Sequence, residues 1–574
     1  MRRDLSKRRR GVVLIIVLVV VTVLALAAYT FSDLMVSHRR VATVNGQRLQ
    51  ARLLVYSGME VVKQYLMQDE ASREQSGGHF NNPAAFQGIP VIPDLEPEFR
   101  GSFTVLAPYL DDAGLSMGGV RYGLEDESSR LNLNLLLIAD GIVPGSGRAL
   151  LMALPGMTED VADAILDWID EDEETRDYGA EFIDYYATLS PSYKPRNGPL
   201  QSVEELLLVR GVTPALLFGA DFNRNGMIDQ HEQSTSASLG MGGATALAPT
   251  MASSNSATLG ANGLPQLGWA SYLTLYSSER NTTPDGLPRI YLNGDDLETL
   301  KDDLSTVFSE EQTNFILAYR LYGPDSQQAS IAGTDGVSAS EVDLDLTQTP
   351  QAQIGQVLDL IGATVRTQVQ SESTDSGTSS SGSSSSGGGR SSTSSSSGGN
   401  ANIVVKSPFA DDVLSMSTYL STLMNNCTVV DAEAIPGRIN INEAQREILL
   451  GIPAVSAATG ENIMTEAIVD EIVSLRTATD TSDHSHETWL LSEAVVSLDE
   501  MKALSPFICA GGDVYRCQIV GYFQGGGPSA RAEVVFDATG DSPRVLFWRD
   551  ISHLGRGHAL ETLGVDIVQG VNTP

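Results

Sequence analysis

From Val12 to Phe31 the chain is an apolar run interrupted only by Thr22 and Thr30. About twenty such residues span a bilayer core as a helix. The run is longer than the core of a cleaved secretory signal, and no polar break or small-residue stop follows it. Arg2, Arg3, Lys7, Arg8, Arg9 and Arg10 precede it against the single acid Asp4. The positive-inside bias therefore keeps the N-terminus cytoplasmic and exports the bulk. Beyond the span, Val41, Val44, Ala51, Val55, Met59, Val62 and Leu66 recur mostly at spacings of three and four, which predicts that the helix continues over 32–70 with Asn45-Gly46 its weak point. Its outer half can cover a sheet.

The pattern then shifts to alternation. After a Gly-, Asn- and Pro-rich loop from Ser76 to Pro97, short strands are expected at Ser102–Leu106 and Val120–Glu125. Three more are expected at Val514–Gly521, Arg531–Phe536 and Arg544–Trp548, with turns at 525–528 and 539–541. Between the two groups lies helical periodicity. Arg130-Leu-Asn-Leu-Asn134 leads into a helix ending at Pro155-Gly156 and a second helix over 157–170, with Val161, Ile165 and Trp168 on one face. Gly437-Arg-Ile-Asn-Ile-Asn442 repeats the phrase before helices near 447–453 and 465–476, and Arg289-Ile-Tyr-Leu-Asn293 begins a third variant without the glycine turn. Such self-similarity indicates duplicated units.

The expected fold class is α+β: a long N-terminal transmembrane helix and a small antiparallel sheet carrying a large, mainly helical insertion. The division along the chain is a leader at 1–11, the span at 12–31, its helical continuation at 32–70, and the first part of the α/β domain at 98–129. A helical unit follows at 130–233, a low-complexity loop at 234–266, and a semi-independent helical and mixed unit at 267–367. An almost pure Ser/Gly tether at 371–400, a second hairpin-containing unit at 401–505 and the closing strands at 510–574 complete it.

Charge narrows the function. Lys and Arg number 37 against 72 acids, a net charge of -35, and phosphate-binding faces need clustered cations. The first hairpin, Leu154-Pro-Gly-Met157, is followed by Glu159, Asp160, Asp163, Asp167 and Asp170 to Glu174. A phosphate there is repelled, so no nucleic-acid partner is expected. Of Cys427, Cys509 and Cys517, the last two could pair in an oxidising compartment; three buried thiols are the equal alternative.

One stretch has metal-ligand spacing. Asp221-Phe-Asn-Arg-Asn-Gly-Met-Ile-Asp-Gln-His-Glu232 fits the twelve-residue calcium loop. Asp221, Asn223 and Asn225 take positions 1, 3 and 5, Gly226 the sharp turn, Met227 the carbonyl at 7, Asp229 position 9 and Glu232 the bidentate position 12. Pro214 to Phe218 supplies an entering turn and Gln233 to Ser238 is a poor exit helix, so a single structural Ca2+ is expected. The acidic run from Asp170 to Glu174, with Asp177 and Glu181, reads as a solvated face before a second cation site. Asp483-His-Ser-His-Glu487 lacks the helical spacing of a zinc hydrolase and reads as loop. No nucleophile elbow, phosphate-binding GK[ST] loop or HExxH helix occurs, so no enzyme is expected.

The junction Arg10-Gly11-Val12 resembles the type IV prepilin and pseudopilin signal, cut after the glycine by prepilin peptidase. Pilin-like subunits normally carry Glu at the fifth mature position, here Ile16. With that departure, Glu127-Ser-Ser-Arg-Leu-Asn-Leu-Asn134, Leu166-Asp-Trp-Ile-Asp-Glu-Asp172, Gly179-Ala-Glu-Phe-Ile-Asp-Tyr-Tyr186, Pro199-Leu-Gln-Ser-Val-Glu-Glu-Leu206 and Gly437-Arg-Ile-Asn-Ile-Asn442 together resemble the minor pseudopilin K family of type II secretion systems. The resemblance implies a pilin-like domain with an insertion of helix-hairpin-helix-like units, anchored in the bacterial inner membrane with its bulk periplasmic. It also implies a place at the tip of the pseudopilus beside other minor pseudopilins, a part in starting assembly and in protein export, and contact with exported substrate or the outer-membrane channel. The long segments at 234–263 and 371–400 and the EF-hand-like loop depart from the family pattern. The alternatives are a membrane-anchored competence-type protein that uses its hairpins on DNA and, third, a membrane-tethered enzyme.

Overall fold

The structure is a computed structural model, and it describes residues 10–109, 119–233, 267–325, 338–342, 344–369, 401–477 and 483–565. The expected leader therefore lies largely outside the described residues, as do the 234–266 loop and the Ser/Gly tether. The first helix, α1 (Arg10–Leu66), is 57 residues long and passes through Asn45-Gly46 without a break. At 1.5 Å per residue it is about 85 Å long. Its apolar first half is exposed along its length, whereas Ala51, Leu54, Val55, Met59, Val62 and Leu66 are buried.

What they pack on is one antiparallel sheet of β1 (Ile89–Ile92), β2 (Gly101–Tyr109), β3 (Gly119–Arg121), β4 (Glu125–Asp126), β5 (Val514–Phe523), β6 (Ala530–Asp537) and β7 (Arg544–Asp550). The strand order is β1-β2-β5-β6-β7, with β3 beside β2 and β4 beside β5. Strands from the two ends of the sequence meet where Val105 pairs with Ile519 and Phe103 with Gly521. Alternation does the rest: Phe103, Val105, Cys517, Ile519, Val534 and Phe536 face α1 and form one core with it. Helix and sheet touch at two glycines. A Cβ on Gly58 would stand 2.6 Å from Ile519, and one on Gly521 would stand 2.3 Å from the Ala51 carbonyl oxygen.

Two details differ from the sequence reading. Ile89–Ile92, inside the expected loop, is a strand; its Pro90 is tolerated because β1 is an edge. The single strand expected at 120–125 is divided into β3 and β4, since Arg121 turns back to donate to the carbonyls of Leu124 (2.7 Å) and Pro108 (3.1 Å) and so folds the chain over itself.

Everything between Asp126 and Val514 is one insertion into this domain, and it has its own core running from Leu131 to Ile508. The repeated phrases occupy equivalent places. Leu131–Asn132 pairs in parallel with Leu273–Thr274, Ile290–Tyr291 with Cys427–Thr428, and Ile439–Asn440 with Ile508–Cys509. The first is followed by three helices, Leu136–Ile142, Ser146–Met152 and Glu159–Ile169, and the other two by a pair each, Leu297–Ser305 with Glu310–Tyr322 and Arg446–Leu450 with Glu466–Thr477. Asn134 exchanges hydrogen bonds with the backbone of Leu200, and Asn293 does the same with Ile354. The stretch expected as a semi-independent lobe, 267–367, is not separate. It shares the insertion core, and Thr364–Val369 pairs residue for residue with Ala401–Lys406 across the Ser/Gly segment. Burial, not sequence proximity, joins the two sides.

Candidate assembly surface and calcium loop

The functional features sit at the two ends of α1. At the start, Gly11, Val12 and Ile16 lie on continuous helix, and no acidic residue occurs between Gly11 and Ser32. Ile16 is exposed and offers no carboxylate to a neighbouring chain. At the far end the sheet carries the insertion, and the two are fastened by alternating charges. Arg516 on β5 bonds Glu127 and Glu533, each at 2.5 Å; Arg549 on β7 bonds Glu533 and Glu204; Glu204 also takes Arg224 at 3.0 Å. Glu533 is mostly shielded from solvent, and although burial alone raises a carboxyl pKa, the two arginines hold it down to about 2.

The 221–232 loop sits beside this chain of charges. Thr213 caps the short entering helix Pro214–Phe218; the exit side, 234–238, lies outside the described residues. Gly226 has φ +78°, a conformation open to glycine, so the loop can turn where Asp221 accepts the N-H groups of Asn225 (3.0 Å) and Gly226 (2.9 Å). Asp229 accepts from the amides of Asn223 (2.8 Å) and Asn225 (3.1 Å), and Glu232 accepts the N-H groups of Asn223 (3.1 Å) and Asp229 (3.0 Å). Asp221 and Glu232 are buried together, and Asn223 Oδ1 is buried with no hydrogen-bond partner. Burial first, and Glu232 among the other influences, lifts Asp221 to about 6. Asp221, Asn225 and Glu232 are buried, Asn223, Met227 and Asp229 partly so, and oxygen donors of this kind suit a hard cation such as Ca2+, but among the described residues no three acidic, His or Cys side chains form a ready-made metal group. Met227 contributes its N-H to Asn225 Oδ1 at 3.0 Å.

Residues outside the motif hold the loop against the sheet. Gln518 on β5 donates to Arg224 O at 2.6 Å, Arg531 on β6 donates to Asn223 O, and Asn225 donates to Gly557 O at 2.7 Å. Local spacing carried no sign of these partners, because they are about three hundred residues away in sequence.

The acidic run divides. Glu171 to Glu174 and Asp177 are exposed as expected, but Asp170 and Glu181 are buried beside Asp163 and Asp167, which corrects the solvated-face reading for those two. Arg176 pairs with Asp167 (2.7 Å) and with Asp170, and Arg148 with Asp163 (2.6 Å). Burial pushes Asp170 up to about 6 and Glu181 to about 7. Of the 483–487 tract, Glu487 bonds Arg438 at 2.9 Å and His486 turns to Thr488, so these two are structural. The three cysteines are free and buried, so Cys509 and Cys517 do not pair.

A first helix long and apolar enough to cross a membrane, a small antiparallel sheet behind it and a helical insertion between two strands make up a pilin-like fold. Residues 129–218 match the family described as Type II secretion system (T2SS), protein K. That segment of the chain matches the family its sequence motifs resemble, the protein K component of type II secretion systems. Among solved structures it is similar to the GspK-GspI-GspJ complex of the enterotoxigenic Escherichia coli Type 2 Secretion System, at 10% identity and a TM-score of 0.35, covering 89% of this chain and 99% of that one. That likeness is too distant to bear on function. No curated protein matches the chain.

Proposed function

We propose that this subunit occupies the tip of a type II secretion pseudopilus, one copy per fibre, and helps initiate its assembly. On this reading α1 is a single-pass inner-membrane anchor with the N-terminus cytoplasmic, prepilin peptidase cuts between Gly11 and Val12, and the sheet and insertion stand in the periplasm. The observation that carries it is Ile16. After cleavage the new ammonium sits on Val12, four residues away, and an unpaired charge in hydrocarbon costs several kcal/mol. A subunit below can supply a carboxylate to that ammonium, but Ile16 supplies none to a subunit above. The insertion, larger than the sheet domain, obstructs a further subunit in the same direction. Neighbouring minor pseudopilins are then its partners, with exported substrate or the outer-membrane channel beyond. Its part in export is mechanical, with no reaction of its own. Co-purification of the full chain from detergent with the neighbouring pseudopilins, together with an intact mass beginning at Val12, is the expected result. Isolation alone, or with the leader intact, contradicts it.

The 221–232 loop is proposed to hold one Ca2+ through Asp221, Asn223, Asn225, Asp229, Glu232 and the Met227 carbonyl. The orphaned Asn223 Oδ1 and the facing carboxylates support this. Because Arg531, Gln518 and Gly557 grip the same loop, the ion would stiffen the joint between insertion and sheet. The competence-type reading is weaker, since exposed acids flank the first hairpin; salt-dependent DNA binding by the full chain would revive it.

A further inference from the structure

The three repeated phrases converge on one cavity of about 450 Å³ inside the insertion, a size at which small molecules are held. Most of its wall is apolar. The helix Leu136–Ile142 contributes Leu136, Ala139 and the exposed Ile138 and Ile142, and Val429 and Phe507 belong to the facing parts of the wall. The charged part of the wall is a single cluster. Arg438 bonds Glu279 at 2.5 Å and Glu487 at 2.9 Å, and His486 lies 3.4 Å from Glu487. Arg289, which begins the second phrase and also lines the cavity, is less well supplied. Its Nε donates to Thr282 O at 3.1 Å, but among the described residues neither of its Nη groups has a hydrogen-bond partner or a carboxylate within ion-pair distance. Burial, the largest influence, lowers its pKa against the pull of Glu279 and Glu487. An anion brought to Arg289 restores what burial takes away.

The chemistry of the wall decides what fits. Its other polar groups are spent on one another: Thr428 Oγ1 accepts the Val430 N-H at 3.1 Å, the Gly437 N-H reaches Ser277 O at 3.2 Å, and the Ile439 N-H reaches Phe507 O at 2.8 Å. A peptide lying here would bury its own amides without partners, which is costly. An unbranched hydrocarbon chain carries no such groups. The head group is decided by charge. An ammonium would meet Arg289 and Arg438 while both nearby carboxylates are already held by Arg438, whereas a carboxylate meets the open fork of the Arg289 guanidinium, whose two Nη groups match its two oxygens.

We propose that this cavity binds a long-chain carboxylate, a free fatty acid whose hydrocarbon lies along the apolar wall and whose carboxylate accepts from both Nη groups of Arg289. The site lies wholly within the insertion, so the proposal stands or falls apart from the pseudopilus reading. The ligand touches all three repeated units at once and so holds them together. The test uses the full chain kept in an amphipathic polymer, so that no detergent competes for the cavity, and calorimetric titration with dodecanoate and with dodecylamine, which has the same chain and the opposite charge. Dodecanoate should bind saturably and dodecylamine should not. Arg289→Gln should weaken dodecanoate about tenfold or more. Ala139→Phe, which fills the cavity from the helix Leu136–Ile142 without touching a charge, should abolish binding; circular dichroism checks that each variant is folded, and if Arg289→Gln is not, Ala139→Phe and the amine carry the test. A photoreactive fatty acid should label peptides containing 136–142 or 427–430. Equal binding of the amine, an unchanged affinity in either folded variant, or label confined to the apolar span at 12–31 overturns the proposal.

Discussion

Glu533→Gln gives a sharp test of how the insertion is fastened to the sheet. Glu533 lies on the inner strand β6, its side chain 12% exposed, between Arg516 and Arg549. Those arginines lead to Glu127 and Glu204 at the two sides of the insertion. Its pKa falls from an ordinary 4.5 to about 2 in the folded chain. At about 1.36 kcal/mol per unit, this is ~3 kcal/mol of stability at neutral pH. The sign follows from the depressed value. The stabilisation is complete above the unfolded pKa of 4.5 and is lost as pH falls through 2. Breaking a buried pair by removing one partner costs a similar amount, about 3 to 5 kcal/mol. Denaturant unfolding of the detergent-extracted chain, followed by tryptophan fluorescence, should therefore show Glu533→Gln less stable by ~3 kcal/mol at pH 7. The gap to wild type should shrink to less than half by pH 3. A gap of the same size at both pH values would mean that the variant lost packing and not charge, and the reasoning would fail.

Other expectations follow from the same structure. Glu181 is pushed up to about 7, so its ionised form is disfavoured at neutral pH; this term is harmless below about pH 4.5 and destabilises progressively as pH rises to 7. In chelator, Glu181→Gln should be more stable than wild type at pH 7 and equal to it near pH 4, by thermal melting; equal stability at both would remove the burial argument. Calcium at about a hundred times its dissociation constant should raise stability by roughly 2.7 kcal/mol through the 221–232 loop. Glu232→Gln should weaken that response, and identical melting of both proteins with calcium and with chelator would show that the loop is no site. Gly521→Val should displace α1, since even a Cβ would stand 2.8 Å from that of Leu54, and cost about 1 to 3 kcal/mol or more. Unchanged limited proteolysis and unfolding would contradict the close approach.

The sequence was most legible where periodicity is local. The span, the continuing helix, the four main strands and the three repeated phrases all announce themselves through spacing or composition. So did the idea that the first and last strands form one sheet, because neither group could pair alone. What was hidden depends on distant partners. Ile89–Ile92 is a strand only because Ser102 and Phe103 lie beside it. Asp170 and Glu181 look solvated in a run of acids until the fold buries them against Asp167 and Arg176. The 267–367 stretch looked separable beside its Ser/Gly neighbour, and only the ladder to Ala401–Lys406 and the common core show otherwise. Within the 221–232 loop the proposed ligand residues stand out by spacing, whereas Gln518, Arg531 and Gly557, which hold the loop to the sheet, do not.

The central claim is that Ile16 ends the series of subunits. Cysteine placed at Ile16, with cysteines at nearby helix positions of this chain and of each neighbouring pseudopilin, can be oxidised in membranes containing assembled fibres. The account predicts disulfide-linked pairs with other minor pseudopilins and none between two copies of this chain. A ladder of self-linked chains along a fibre would contradict it.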